Sequence, residues 1–386
     1  MAIEIHGTCA PRFARVRDRF AAHFEAGEET GASLALVWRG ELQLDLWAGH
    51  RDARRTLPWG RDTIANVYST TKGMTALVVH RLVEQGRLDL DAPVARHWPE
   101  FAAAGKERLP VRFLLSHQAG LPAVERPLPD AALYDPDTMA SALAEQKPWW
   151  EPGARHGYHA LTFGWLLGEL VRRATGETLG RVFRREIAGP LGADFWIGLG
   201  PEHDARSAEL IPAPLPKPGE ANLVSDLLAS PDSMAAKAFF NPNALLASPN
   251  TRRWRAAEIP AANGHGNARA LARIYGALAQ GGEIDGVRVL APAGVERALA
   301  EQASGPDAVL PLPTRMALGF MLGTELEPLG PNPRAFGHGG AGGSLGVADP
   351  DAGFGFGYVM NQMKMGLWLV DPRPRALLRE VYTALG

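Results

Sequence analysis

The tetrapeptide Ser69-Thr70-Thr71-Lys72 places a hydroxyl three residues ahead of a primary amine. After Tyr68 the apolar positions Met74, Leu77, Val78 and Leu82 recur at helical spacing, so the sequence predicts an amphipathic helix starting near Ser69. Residues at i and i+3 share a helix face, which sets the two side chains together at a helix N-terminus, where free amides favour negative charge. Serine is a preferred helix cap and lysine an ordinary solvated residue, so capping explains the pair as well as chemistry does. The chemical reading is a serine nucleophile served by a lysine base. It draws on the uncharged surroundings of Lys72, which push an amine toward its neutral form.

Two more segments carry candidate groups. In WEPGARHGYHALTFGWLLGEL, Tyr158 follows a Pro152-Gly153 turn and precedes a helix beginning near Leu161. It reads either as a core tyrosine with a polar tip or as a general base, if a cation such as Lys72 lowers its pKa from about 10. In FGHGGAGGSLGVADP, Phe336 to Pro350, six of fifteen residues are glycine inside an expected strand. Glycine weakens a strand, so its presence implies close approach of another backbone or a ligand. The expectation is an edge strand whose amides face a cleft and supply one oxyanion donor, the Ser69 amide being the other. A bulged edge without a ligand is the alternative. The same segment holds G-x-S-x-G at Gly342, Ser344 and Gly346, a nucleophile-elbow pattern that needs a strand before the serine and a helix after it. Here a strand is expected to follow, and no histidine comes after Ser344, so the elbow reading fails.

The elements that must position these groups read alike from both ends. Phe13, Val16, Phe20 and Phe24 mark a helix, followed by a hairpin of Leu34 to Trp38 and Glu41 to Trp47 around Arg39-Gly40. Near the other end, SLGVADP and GFGFGYVMN form a second hairpin, and Leu377, Leu378, Val381 and Leu385 line a last helix. One antiparallel sheet built from both termini follows, with the two helices on one face. Between Ser69 and about Gln280 the signals are helical: Thr75 to Gln85, Leu161 to Thr175 and Ala268 to Gln280. The connections Ala123 to Asp137 and Ile211 to Glu220 are long enough to be walls or lids. The expected fold class is α+β: a sheet subdomain of residues 1–66 plus 281–386, a mainly helical subdomain of residues 67–280, and a cleft between them.

Composition narrows the function classes. The 386 residues are 46% hydrophobic with a net charge of −2, which gives no electrostatic footprint for nucleic acid or anionic membrane. Cys9 is the only cysteine, so no intrachain disulfide or thiolate cage forms. The first residues lack a signal-peptide pattern and no apolar run of about 20 residues occurs, from which a cytoplasmic location is expected. The eleven histidines include no H-E-x-x-H, so no metal is expected, and His156 and His159 read as loop residues. No phosphate-binding or dinucleotide motif follows an expected strand, so no cofactor is expected either.

Taken in order and spacing, the three segments resemble the serine β-lactamase and penicillin-binding-protein superfamily, and more closely its family VIII carboxylesterase branch. Ser69-Thr70-Thr71-Lys72 is similar to the S-x-x-K motif, Tyr158-His159-Ala160 stands where that family has Y-x-N, and His338-Gly339-Gly340 where it has K-T-G. LLSHQAGLP, EIPAANGHGNARALARIYGALA and GFGYVMNQM add to a likeness spanning roughly residues 12–383. The resemblance implies a β-lactamase/transpeptidase-like fold and an acyl-enzyme on Ser69, with Lys72 and Tyr158 as the proton-handling pair. It also implies an oxyanion hole from the amides of Ser69 and Ala341, and substrate contacts at His338, Gly339 and Gly340. Ala160 and His338 depart from the pattern by removing an amide and a full positive charge. Losing one charge-assisted contact costs about 1.5–3 kcal/mol, so a neutral, short-chain acyl ester is the expected small-molecule substrate, with slow cephalosporin hydrolysis as a side activity. Trp149, Trp150 and Phe336 are candidates for an apolar pocket or for ordinary core. A β-lactamase or D-amino-acid peptidase, and a non-catalytic binding member of the fold, are the competing readings.

Overall fold

In the computed structural model the described residues are 3–214, 223–244, 247–366 and 369–386, with the backbone alone for Val224. The expected stretch Ile211 to Glu220 therefore lies mostly outside them. Strands β1 (His6–Cys9), β2 (Gly31–Trp38) and β3 (Glu41–Gly49) come from the N-terminal part of the chain. Arg39 and Gly40 both take positive φ, 51° and 83°, the two-residue turn whose twist matches a hairpin. The C-terminal part gives β4 (Ala303–Pro306), β5 (Pro313–Met316), β6 (Met321–Leu322), β7 (Phe336–Gly339), β8 (Leu345–Asp349) and β9 (Phe354–Met360). All nine form one antiparallel sheet in the order β1-β3-β2-β9-β8-β7-β6-β5-β4. The sheet is thus built from both ends of the chain, as expected.

Helices α1 (Ala14–Glu25), α2 (Thr71–Glu84), α3 (Thr162–Thr175), α4 (Ala268–Ala279) and α5 (Pro372–Leu385) carry the packing. On one face of the sheet, Val16 and Phe20 of α1 and Leu377, Leu378 and Val381 of α5 pack on Leu34, Leu36, Leu44, Leu345, Val347 and Phe356. On the other face lies α4, although it falls within residues 67–280. The alternate glycines of GFGFG explain the fit. A Cβ on Gly355 would stand 2.0 Å from the Gly276 nitrogen, so only glycine lets helix and strand approach this closely, while Phe354 and Phe356 point to the opposite core.

Two expectations are corrected. Helix α2 is not amphipathic: from Thr71 to Leu82 every residue but Arg81 is buried, because it runs through the middle of the helical part. The glycine-rich strand β7 is not an edge strand, since β6 pairs with it on the side away from β8. That pairing involves only Phe336 and Gly337, so from His338 onward the same side of β7 carries no neighbouring strand among the described residues. A small antiparallel sheet of Ala65–Asn66, His265–Gly266 and Phe195–Trp196 leads the chain into α2. Among the described residues no helix is long and apolar enough to cross a membrane.

Candidate active site

The approach to Ser69 is fixed by backbone hydrogen bonds. The Val67 amide donates to the Gly264 carbonyl at 2.9 Å, and Tyr68 then turns through a left-handed φ of 42°. The Thr71 and Lys72 amides donate back to the Tyr68 and Ser69 carbonyls, closing the first turn of α2. Ser69 sits at this turn, but its hydroxyl caps no amide. Instead Ser69 Oγ lies 3.0 Å from Lys72 Nζ.

Lys72 is fully buried and its Nζ has three neighbours, Ser69 Oγ, the Ala160 carbonyl at 2.8 Å and the Ala261 carbonyl at 3.0 Å. Burial alone drives its pKa well below the ordinary lysine value. A neutral amine has two N–H donors and one lone pair. As an ammonium Lys72 donates to all three oxygens; in the neutral form the two carbonyls take the donors and the lone pair is left for the Ser69 hydroxyl. Nζ also lies 4.7 Å from the centre of the Tyr158 ring and 5.9 Å from that of Phe163.

Tyr158 lies in the irregular segment before α3, with its ring 5.1 Å from that of His117 and 6.0 Å from that of His338. Burial raises the phenol pKa far above 10; a hydrogen bond with Ser69 opposes the rise, and the nearby Asp307 charge adds to it. Burial therefore shifts both groups toward their neutral forms, and the consequences differ. A neutral lysine is a base, whereas a neutral tyrosine is a proton donor.

The segment Gly340–Ser344 abuts the stretch that leads to Ser69. A Cβ on Gly340 would stand 2.1 Å from the Val67 carbonyl oxygen, so glycine is required there. Ser344 Oγ donates to the same carbonyl at 2.8 Å and lies 3.2 Å from Thr70 Oγ1. Ser344 is thus a buried strut ahead of strand β8, and the elbow reading fails on geometry as well. On the far side, buried Arg373 donates to the Gly342 carbonyl at 2.6 Å while paired with Glu29 and Asp371, each at 2.9 Å. Among the described residues, neither the Ser69 nor the Ala341 amide donates to a protein acceptor.

His338 is buried, its Nδ1 donating to the Gly339 carbonyl at 2.7 Å and its Nε2 without a partner among the described residues. Burial, aided by Lys72, pushes its pKa down to about 3. Sequence reasoning understated three histidines. His159 is wholly buried, its Nδ1 donating to Gly157 and its Nε2 accepting from the Leu121 amide, and His156 is buried on Thr314. His117, in LLSHQAGLP, takes a φ of 61° and accepts the His159 amide at Nδ1. Among the described residues no group of three or more His, Cys, Asp or Glu side chains is placed to hold a metal ion. Of the pocket candidates, Trp149 packs against the apolar cluster that contains Tyr158, and Trp150 stands edge-on to His159. Phe336 instead belongs to the main core with Tyr275 and Phe320.

The family model described as Beta-lactamase matches residues 16–379. The chain belongs to the beta-lactamase family. It is 41% identical over 377 residues to the esterase/beta-lactamase LipL of Mycobacterium tuberculosis (strain ATCC 25618 / H37Rv), covering 95% of this chain and 85% of that protein. The crystal structure of a family VIII carboxylesterase matches with 45% identity and a TM-score of 0.90, over 99% of this chain and 100% of the other. EstA from Arthrobacter nitroguajacolicus Rue61a matches with 35% identity and a TM-score of 0.86, over 100% and 99%. The family VIII likeness read from the motifs and the β-lactamase/transpeptidase-like fold are both borne out. The esterase names of these relatives agree with the enzyme class expected from the sequence.

Proposed function

We propose that this chain hydrolyses neutral carboxylic esters through an acyl-enzyme on Ser69. The observation that carries the proposal is the placement of Ser69 Oγ 3.0 Å from a buried Lys72 amine whose other two neighbours are carbonyl oxygens. Lys72 takes the Ser69 proton as Oγ attacks the ester carbonyl. The negative oxygen that forms meets the amides of Ser69 and Ala341. The Lys72–Tyr158 pair returns the proton to the departing alkoxide, Tyr158 being the group that burial keeps protonated. Water then enters by the reverse sequence and frees the acid.

Substrate preference follows from charge. His338, with Gly339 and Gly340, occupies the strand that would contact the substrate, and a pKa of about 3 leaves it uncharged at neutral pH. A substrate carboxylate finds no cation there, which favours a neutral ester over a β-lactam. The side chains packed in one cluster with Tyr158 are apolar: Ala238, Val309, Met316 and Met321, with Trp149 and Phe239 beside them. They suit a short apolar acyl group.

The test is p-nitrophenyl butyrate hydrolysis, with intact-mass analysis after treatment with a p-nitrophenyl alkylphosphonate. One adduct on Ser69 and loss of turnover in Ser69→Ala are expected. Unchanged turnover in Ser69→Ala would favour a non-catalytic role for the fold. Nitrocefin turnover above that of the ester would reinstate the β-lactamase reading.

A further inference from the structure

No regular secondary structure holds the backbone of Tyr158. It lies outside any helix or strand, in a stretch that contains Gly153 and Gly157. Three successive amides of this stretch are nevertheless engaged. Gly157 donates to the His117 carbonyl at 3.1 Å and His159 to His117 Nδ1 at 3.0 Å. The amide between them, that of Tyr158 itself, donates to Asp307 Oδ1 at 2.9 Å.

Asp307 is itself held from two directions. Its Oδ1 also accepts the amides of Val309 and Leu310, both at 2.9 Å, so the carboxylate is locked into its own turn. Its Oδ2 accepts the Thr314 hydroxyl at 3.0 Å, and Thr314 belongs to β5 of the main sheet. Two further bonds tie the same segments together: His156 Nε2 to Thr314 Oγ1 at 2.9 Å, and the Ala308 amide to the His156 carbonyl at 3.1 Å. The packing is equally close. A Cβ on Gly157 would stand 2.9 Å from the Ala308 Cβ and 3.3 Å from a Val309 methyl. Val309 belongs to the same apolar cluster as Tyr158, so one carboxylate holds both the Tyr158 backbone and part of the packing around its ring.

We infer that Asp307 is a positioning residue for the esterase reaction, which transmits the rigidity of the main sheet to the backbone of Tyr158. The inference rests on the mechanism proposed above, in which Tyr158 handles the proton. A charged acceptor of three amides is a strong and directional anchor, and misplacing a reacting group by about 1 Å lowers rates on the order of a hundredfold.

The test is a double-mutant cycle on the full chain with p-nitrophenyl butyrate. Asp307→Ala lowers kcat by about 10- to 100-fold with KM changed less than about threefold, because the group it positions acts in the transition state. Asp307→Asn keeps an oxygen for the amides and recovers most of that loss. In a Tyr158→Phe background, Asp307→Ala changes kcat by less than about threefold, because the group it positions is already gone. Losses that multiply in the double variant would show that Asp307 acts on the fold at large and overturn the inference, as would wild-type kcat in Asp307→Ala. If Asp307→Ala does not fold, Thr314→Val in the same cycle decides, since it removes the hydroxyl that holds Oδ2. A wild-type rate for Thr314→Val then overturns the inference. Full activity of Tyr158→Phe alone would instead refute the proton role of Tyr158, a separate failure.

Discussion

Lowering the pH from 7 to 5 tests the electrostatic description of this interior. Burial holds His117 well below the ordinary imidazole pKa, and four more buried histidines are held neutral in the same way: His80 and His159 with pKa values down to about 4, His265 and His338 down to about 3. An unfolded imidazole titrates near 6.5, so the unfolded chain takes up protons first as pH falls. The folded-state pKa is depressed, so the stabilisation is complete above about 6.5 and is lost on acidification. Each of these four loses about 2 kcal/mol between pH 7 and 5, about 7 kcal/mol together. Glu29 acts in the opposite sense. Burial raises its pKa to about 7, so the folded state binds its proton first, which offsets about 2 kcal/mol over the same interval. The net loss of about 5 kcal/mol is comparable to the whole stability of many domains. Urea unfolding followed by tryptophan fluorescence at the two pH values is the assay, and the midpoint is expected to fall by about 1 M or more at pH 5. An unchanged or higher midpoint at pH 5 would refute the claim that these imidazoles are buried and neutral.

Three substitutions probe the site itself. Lys72→Arg places a permanent cation among carbonyls with no lone pair to offer, so ester turnover falls by about 10²–10⁴-fold, measured as kcat on p-nitrophenyl butyrate. Gly340→Ala drives a methyl into the Val67 carbonyl at 2.1 Å, displacing the Ala341 amide. A drop in kcat of about 10²–10³-fold is expected, and kcat within twofold of wild type would remove Ala341 from the oxyanion hole. Ser344→Ala removes a strut rather than a nucleophile, so phosphonate labelling stays on Ser69 while thermal stability falls by about 1–2 kcal/mol. Loss of the label in that variant would contradict this role.

What the sequence reveals here depends on distance along the chain. Ser69 and Lys72 are three residues apart on one helix, and the two terminal hairpins carry their alternation locally, so both are readable. The isolation of Lys72 is not. It comes from the Ala160 and Ala261 carbonyls, 88 and 189 positions away. Asp307 looks like an ordinary loop acid because its partner Tyr158 lies 149 positions back. Arg373 opens a C-terminal helix and reads as solvated, yet it is 1% exposed and spends its charge on Glu29, Asp371 and the Gly342 carbonyl. The short strands β1 and β4 to β6, two to four residues long, have too few positions for alternation to show.

The place of β9 between β2 and β8 has a consequence for synthesis. Trp38 hydrogen-bonds Ala352 across 314 positions, so at 5–20 residues per second the ribosome needs roughly 15–60 s between the two. During that interval the first hairpin exists without its central partner, and the apolar strand GASLALVW presents an open edge. Helix α2 has emerged by then, but the glycine-rich turn beside it has not. A nascent chain therefore carries Ser69 and Lys72 for most of its synthesis without the Gly340–Ser344 backbone that braces the Val67 carbonyl beside them.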